Sequence, residues 1–310
     1  MVKNIIQFGR DSTITPHESD WKQLYKEVMD AYIHQPLLAR KLTLKGCGKY
    51  IPLTFDGRRI WETTLKNDVD EPGYDFTPGS KDTSFNGTLV NAMLPQIYES
   101  CTLSLDDLNM LFAGQARLPL IMEGVIAKIA EKEDKIFFRG DSTKGVNGLV
   151  SADAHDLGAV TGAWGVDTGS NGILNNMKAD IKKALDYFTV NGLGDKPVDM
   201  CVTSYIWGLL DSTIKVYGDG TAKDYFTKML RGGEIMVSDN IQASVTTTAN
   251  TAVWIVRDSR AYALLSSEIQ QEQDKKGLWE WQYGAREKFS VKVLNNKFVC
   301  WMDGISNATS

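Results

Sequence analysis

Three histidines, four cysteines and one dense acidic group are the residues of this chain whose types could do chemistry. His17, His34 and His155 stand far apart, none beside a serine or cysteine in a nucleophile elbow, and no GxSxG occurs. Cys47, Cys101, Cys201 and Cys300 are equally dispersed, without a CxxC pair or a nearby histidine, so metal-ligand spacing is absent. Each is expected to be a small buried hydrophobe. Gly140-Asp141-Ser142-Thr143-Lys144-Gly145 resembles a phosphate-binding loop but lacks the Gly-Lys-Ser/Thr that must open a helix after a strand. Asp68, Asp70, Glu71 and Asp75 lack the ligand order and closing Glu of a calcium loop, and read as a solvated or inter-subunit charged loop. Glu123 sits close to an apolar stripe, where structural burial is a better reading than catalysis. The tryptophans Trp61, Trp164, Trp207, Trp254, Trp279, Trp281 and Trp301 do not interleave with basic residues, so they predict packing rather than a nucleic-acid platform. The sequence therefore predicts no catalytic, cofactor-binding or metal-ligating residue, and hence no enzyme.

Composition bounds the remaining classes. At 310 residues, 43% apolar and 24% charged, the chain can bury a substantial core and is globular. A net charge of −5 gives no basic footprint for sequence-specific nucleic-acid binding, although it permits a protein that merely encloses nucleic acid. The opening MVKNIIQFGRDSTITP lacks the apolar run of a signal peptide, and nothing approaches a membrane-spanning length. Cytoplasmic synthesis is the plain expectation. The Asn307-Ala308-Thr309 sequon is then an accident of composition.

The elements follow from periodicity. Residues 1–16 form an arm, and Trp21, Leu24, Val28, Tyr32 and Ile33 recur at helical spacing up to Pro36. Leu42 and Leu44 alternate with polar residues, which predicts a strand after Ala39. Ile51, Leu53 and Phe55 alternate towards the turn dipeptide Asp56-Gly57, and the rest of 48–88 is a polar, turn-rich extended loop that needs a partner surface. A strand-like passage from Leu94 leads to a capping box at Ser104 and Asp107. Leu118, Ile121, Val125, Ile126 and Ile129 then form the stripe of a long helix from about Gln115 to Phe137, roughly 35 Å in length. Glu123, Lys128, Glu131, Lys132 and Glu133 are placed off that stripe. Residues 153–172 read as a linker-like loop. A mixed α/β third follows: a helix on Leu174, Met177, Ile181, Leu185 and Phe188, a buried strand Val198–Val202 and a helix capped by Ser204. A further helix near Lys223–Leu230 ends at Gly232-Gly233, before strands Glu234–Val237 and Ala252–Val256. Residues from Tyr262 to Ile305 are mostly strand-like.

Taken in order, these elements resemble the major capsid proteins of tailed bacteriophages, with their Hong Kong 97-like fold, and the related encapsulin shell proteins. The residues that carry the resemblance are Leu37-Leu38-Ala39-Arg40-Lys41, the segment 48–88, the passage Leu94–Gly140, and Gly145-Val146-Asn147-Gly148-Leu149. Arg286–Val293 and Phe298–Ile305 complete the pattern. The resemblance implies an α+β fold: an N-terminal arm and helix (1–40), an extended loop (48–88), a peripheral domain with a long spine helix (41–47, 89–172 and 268–310) and an axial α/β domain (173–267). It implies that the chain's main partner is itself, in pentamers and hexamers of an icosahedral shell within a virion. That shell would enclose double-stranded DNA without sequence-specific binding and without a membrane. An encapsulin compartment holding cargo enzymes is the alternative. A separate scaffold, portal or decoration protein is a further candidate partner, because the recognisable fold begins near residue 17. Lys66 and Lys81 supply lysines for a loop crosslink, but no pair is singled out. A third class, an enzyme with a site in 173–267, has no titratable constellation behind it.

Overall fold

The computed structural model of the chain describes residues 38–52, 60–65, 85–90, 94–104, 117–158, 160, 161, 164, 172–212, 221–241, 250–267, 269–275 and 280–305. The expected helix on Trp21–Ile33, the Asp56-Gly57 turn, the acidic group 68–75, Lys66, Lys81, His17, His34 and Asp107 lie outside the described residues, as do the side chains of Leu118, Ile121 and Glu123. The helices are α1 (Leu38–Leu44), α2 (Arg117–Arg139), α3 (Gly172–Val190), α4 (Ser204–Ser212) and α5 (Ala222–Met229). The strands of the first half are β1 (Lys49–Pro52), β2 (Ile60–Leu65), β3 (Phe85–Val90), β4 (Gln96–Ser104), β5 (Gly140–Asp141), β6 (Val146–Asn147) and β7 (His155–Asp156). Those of the second half are β8 (Val198–Val202), β9 (Ile235–Val237), β10 (Ala252–Val256), β11 (Tyr262–Ser266), β12 (Gln270–Lys275), β13 (Glu280–Val293) and β14 (Val299–Met302).

Two five-stranded sheets share one contiguous core. The first is organised on β13, whose early part pairs antiparallel with β4 on one side and β12 on the other, while its last residues pair with β11. Tyr283, Ala285, Glu287, Phe289, Val291 and Val293 alternate inward along β13 and are buried. That is the period of two a half-buried strand requires. The spine helix α2 packs across β13 and β4. Its 23 residues rise about 34 Å, and its inward stripe runs Val125, Ile126, Ile129, Ala130, Glu133, Asp134, Phe137 and Phe138. Outside the stripe, Lys132 bonds the Glu99 carboxylate of β4 at 2.5 Å.

The second sheet runs β7-β14-β10-β8-β9, with β10 antiparallel to both β14 and β8, and β9 parallel to β8. β8 and β10 are buried at every position. Their residues are mostly apolar, as a strand covered on both faces requires. Helix α3 contributes Met177, Ile181, Ala184, Leu185 and Phe188 to the core. β2 and β3 form a two-stranded antiparallel sheet of their own.

Several expectations need correction. The stretch read as a strand after Ala39 is helix α1, because Leu38, Ala39 and Leu42 bury together at helical spacing while Leu44 is 88% exposed. The helix thus straddles the expected boundary between 1–40 and 41–47. β1 pairs in parallel with β11. The sheets also cut across the boundary set at 267. β11 belongs with β13, whereas β14, expected with 268–310, lies in the sheet of β8 and β10. Residues of the supposed linker 153–172 pack firmly: Ala154, Leu157 and Trp164 are buried, and the Trp164 indole donates to Asp180 on α3 at 2.8 Å. The cap of α4 is Thr203 rather than Ser204, since Thr203 Oγ1 accepts from the Ile206 amide at 3.4 Å. Ser204 instead bonds Asp239 through both its amide and its hydroxyl. Ser104 is the last residue of β4, and the helix start it was expected to cap lies outside the described residues.

The spine ends where the sequence places its stop, and the cause is visible. Helix carbonyls of the last turn have no partner within the helix. Here the amides of Leu149 and Val150 reach back to the carbonyls of Phe137 and Phe138, at 2.9 and 2.7 Å. This return requires close backbone approach: a Cβ on Gly148 would lie 2.4 Å from the Gly140 nitrogen, and Gly140 itself has φ +73°. The rejected phosphate loop is the connection between β5 and β6. Its turn is held by Asp141 accepting from the Thr143 amide at 3.1 Å, and Gly145 adopts the left-handed conformation.

The two sheets are tied by the turn after α1. Cys47 donates its thiol to Asp199 Oδ2 on β8 at 3.0 Å. Arg257 grips the same carboxylate through Nε and Nη2 at 2.8 and 2.7 Å, and the Glu234 amide donates to it at 2.8 Å. Lys45 bonds Glu234 in turn. Asp199 is wholly buried. Burial works against its ionisation, but Arg257, the thiol and the amide together hold its carboxyl below the ordinary range.

Two outcomes follow for this architecture. Arg257→Met leaves Asp199 buried without its cation and should cost about 3–5 kcal/mol at neutral pH, read by equilibrium denaturation. Because Asp199 titrates below its ordinary value in the native protein, wild type gains from this pair above that range and loses the gain as pH falls. The gap between variant and wild type should therefore narrow below about pH 4. Gly148→Ala should destabilise by at least about 1–3 kcal/mol and speed hydrogen exchange at Leu149 and Val150. A variant as stable as wild type would refute the close approach.

Candidate functional site

The densest constellation of buried charge lies where α1 meets the spine, β11 and β13. Arg40 on α1 forks onto Glu133 of α2, with Nη2 to Oε1 at 3.0 Å and Nε to Oε2 at 3.3 Å. The same Nη2 reaches Glu287 Oε1 on β13 at 2.9 Å and Ser266 Oγ on β11 at 3.3 Å. Glu133 is wholly buried and Glu287 nearly so, while Arg40 is partly exposed. Ser266 donates its hydroxyl to Glu287 Oε1. Two carboxyls and one guanidinium thus meet in a site that only three separate stretches of chain can build.

Asp134, next to Glu133, caps α1 from outside. Its two oxygens accept the amides of Leu38 and Ala39 at 3.3 and 3.1 Å, first-turn donors that the helix itself cannot satisfy. Burial pushes its carboxyl up to about 6, against the pull of those two amides, with Glu133 adding repulsion. At its other end α1 is held by Thr43, whose hydroxyl meets the Tyr262 hydroxyl at 3.0 Å. Gly48 then passes so close to the Tyr262 ring that a Cβ would lie 2.5 Å from it. Seven residues of helix are therefore fixed to the spine, to β11 and β13 of the first sheet and, through Cys47 and Lys45, to the second sheet.

Glu133 overturns its expected place off the apolar stripe; it is buried because Arg40 reaches it. The signal was present. Glu133 and Asp134 continue the spacing of Ile129, Ala130, Phe137 and Phe138, Glu287 falls on the inward parity of β13, and Asp199 interrupts an apolar strand. A charge on a buried face calls for a partner, and these four residues mark both networks.

The residues singled out from the sequence are elsewhere. His155 on β7 stacks on Tyr187 with ring centroids 3.9 Å apart. Cys201 and Cys300 are buried among apolar strands, and desolvation raises both thiols, as packing residues would show. Cys47 departs from that expectation, since its thiol donates to Asp199. The described tryptophans Trp164 and Trp254 are wholly buried. Among the described residues no group of His, Cys, Asp and Glu could hold a metal ion, and no helix is long and apolar enough to cross a membrane. Among the described residues, the cavity beside Glu287 has room for one water, at about 20 Å³. The chemistry around Arg40 is that of a joint.

No family model matches this chain, and no curated protein matches its sequence. Solved structures do match. The virus-like particle from Pyrococcus furiosus aligns over 91% of this chain and 99% of that one, with TM-score 0.61 and 11% identity. The capsid of Myoviridae phage XM1 aligns over 84% and 90%, with TM-score 0.58 and 14% identity. The holo-SrpI encapsulin complex from Synechococcus elongatus aligns over 87% and 90%, with TM-score 0.54 and 11% identity. At such identities the likeness is one of fold. This chain has the Hong Kong 97-like fold that its element order resembles.

Proposed function

We propose that this chain is a structural protein, the major capsid subunit of an icosahedral shell, whose copies gather into pentamers and hexamers around double-stranded DNA. The observation that carries the proposal is the shared fold over 99% of the chain that forms the Pyrococcus furiosus particle. The sheet of β4, β11, β12 and β13 with the spine corresponds to the peripheral unit of such a subunit. The sheet of β8, β9, β10 and β14 with α3, α4 and α5 corresponds to the axial unit. β2 and β3 support the reading: a lone two-stranded sheet is marginal in water and gains stability when a third strand or an apolar surface covers it, which a neighbouring copy of the chain would provide. In this reading the part of the extended segment beyond β1, residues 53–88, lies across a neighbour and residues 1–37 reach another. Symmetry then repeats a small set of contacts into a closed particle. The mild net charge fits a container that encloses nucleic acid without reading it. The virion is its place of action and the host cytoplasm its place of synthesis. A scaffold, portal or decoration protein would act as a separate partner.

The holo-SrpI encapsulin match keeps a second reading, a compartment shell around cargo enzymes. Expressing the chain, sedimenting it and imaging the fast fraction by electron microscopy tests the shell, and the contents separate the readings. Closed particles carrying nuclease-protected DNA are the expected result when the chain is recovered from its native particles. Particles loaded with a co-purifying enzyme would move the assignment to a compartment. A chain that stays monomeric under every assembly condition, and is not the main component of any particle, would refute both.

A further inference from the structure

Among the described residues, the junction at Arg40 sets two buried carboxyls against one guanidinium. Glu133 is 0% and Glu287 1% exposed, and Arg40 bonds both. Glu287 Oε1 accepts from Arg40 and Ser266, but its Oε2 is buried and receives no hydrogen bond. Glu133 lies within hydrogen-bonding reach of Glu287. Two ionised carboxylates cannot bond to each other, whereas one protonated and one ionised can, because the acid supplies the missing donor. A proton on Oε2 would satisfy that oxygen and leave one carboxylate to one guanidinium.

We propose that Glu133 and Glu287 share one proton at neutral pH, and that this proton docks α1. Without it, two carboxylates repel beneath Arg40 and the helix loosens from the spine and β13. The other charged groups around the pair do not replace it. Asp134, from the spine, is engaged by the amides of α1. Arg286, on the opposite parity of β13, pairs with Glu272 of β12 at 2.5 Å. Arg286 and Lys288 line the water-sized cavity beside Glu287 together with the uncharged Gln96, Ser267 and Gln270. β11 contributes the uncharged Ser266. Burial, with Glu133 alongside, holds the Glu287 carboxyl well above the usual range, which agrees with the geometry.

The sign is opposite to that of an ordinary salt bridge. A carboxyl whose value is raised by folding gives stability that is complete below the ordinary Glu value near 4.3, and that drains as pH rises towards the raised value. Asp134 behaves alike but finishes at about 6, so measurements from roughly pH 6.5 to 8.5 isolate the pair. In that window opening of α1 releases a proton from the pair, so the opening equilibrium should rise with pH, by up to about tenfold per unit.

Cys47 reports this opening. Its amide bonds the Leu42 carbonyl in the turn that ends α1, and its thiol is buried. Full-length wild type, Glu287→Gln and Glu133→Gln are alkylated with iodoacetamide across the window, and modification at Cys47 is read by mass spectrometry. Comparison at equal pH cancels the intrinsic reactivity of the thiol. Each amide mimics the neutral acid, so both variants should already be less reactive than wild type at pH 6.5 and fall further behind it as pH rises, by up to about tenfold per unit. Equal pH slopes in all three proteins would overturn the proposal. So would a variant more reactive than wild type at every pH, or failure of either isosteric variant to fold. The test does not depend on whether the chain builds a shell.

Discussion

A guanidinium held by two buried carboxyls is a demanding interaction, and much of this molecule is arranged to satisfy it. Arg40 lies 93 residues from Glu133 and 247 from Glu287. No local segment can meet the requirement, so α1, the spine and β13 must all be in place before any of the three charges is paired. Breaking such a cluster leaves an uncompensated buried charge, which costs far more than the intact cluster contributes over an apolar replacement. Its consequence is therefore geometric. It admits one position of α1 and penalises the others.

That position matters because of what α1 connects. Upstream lie residues 1–37; downstream, within a few residues, lie the turn that grips Asp199 and the strand β1 that extends the first sheet. The exchange of strands binds the two sheets further, since β10 and β11, and again β13 and β14, follow one another closely in sequence but join different sheets. A hinge between the sheets would have to part the Asp199 network and shear a common apolar core at once. Close-packed interiors shift between discrete arrangements rather than deform smoothly. The two sheets are consequently expected to move as a body.

Much of this was legible wherever one period ran long enough. The spine, α3, β8, β10 and β13 each show a run of apolar residues at a single spacing, and each was found within a few residues of its place. α1 was missed because seven residues offer barely two turns, over which Leu42 and Leu44 imitate a strand's alternation. The stretch around Trp164 was missed because its glycines, threonines and aspartates look like a linker, while its packing rests on one indole bonded to a buried aspartate. Pairing was less legible still. The residues that make β14 a strand say nothing about whether β10 or β13 lies beside it, since both neighbours offer an apolar face. The acidic residues of the junction were readable only as anomalies, charges at inward positions whose partner lay far along the chain.

The absence of catalytic spacing in the sequence and the presence of buried charge in the structure are connected. Catalytic groups gain from exposure to a substrate, so an active site leaves its charged residues in a cleft. Here Glu133, Asp134, Asp180, Asp199 and Glu287 are closed off by packing, and their bonds run to Arg40, Arg257, a thiol, an indole and backbone amides of the same chain. Charges spent internally hold elements in register. On the proposed function, in which copies of the chain meet at repeated contacts, a small error in the position of α1 or β13 would be copied at every symmetry-related interface. An angular tolerance that a monomeric enzyme could absorb would prevent a particle from closing. Rigidity of this joint is then a functional property in the same sense that a positioned base is in an enzyme.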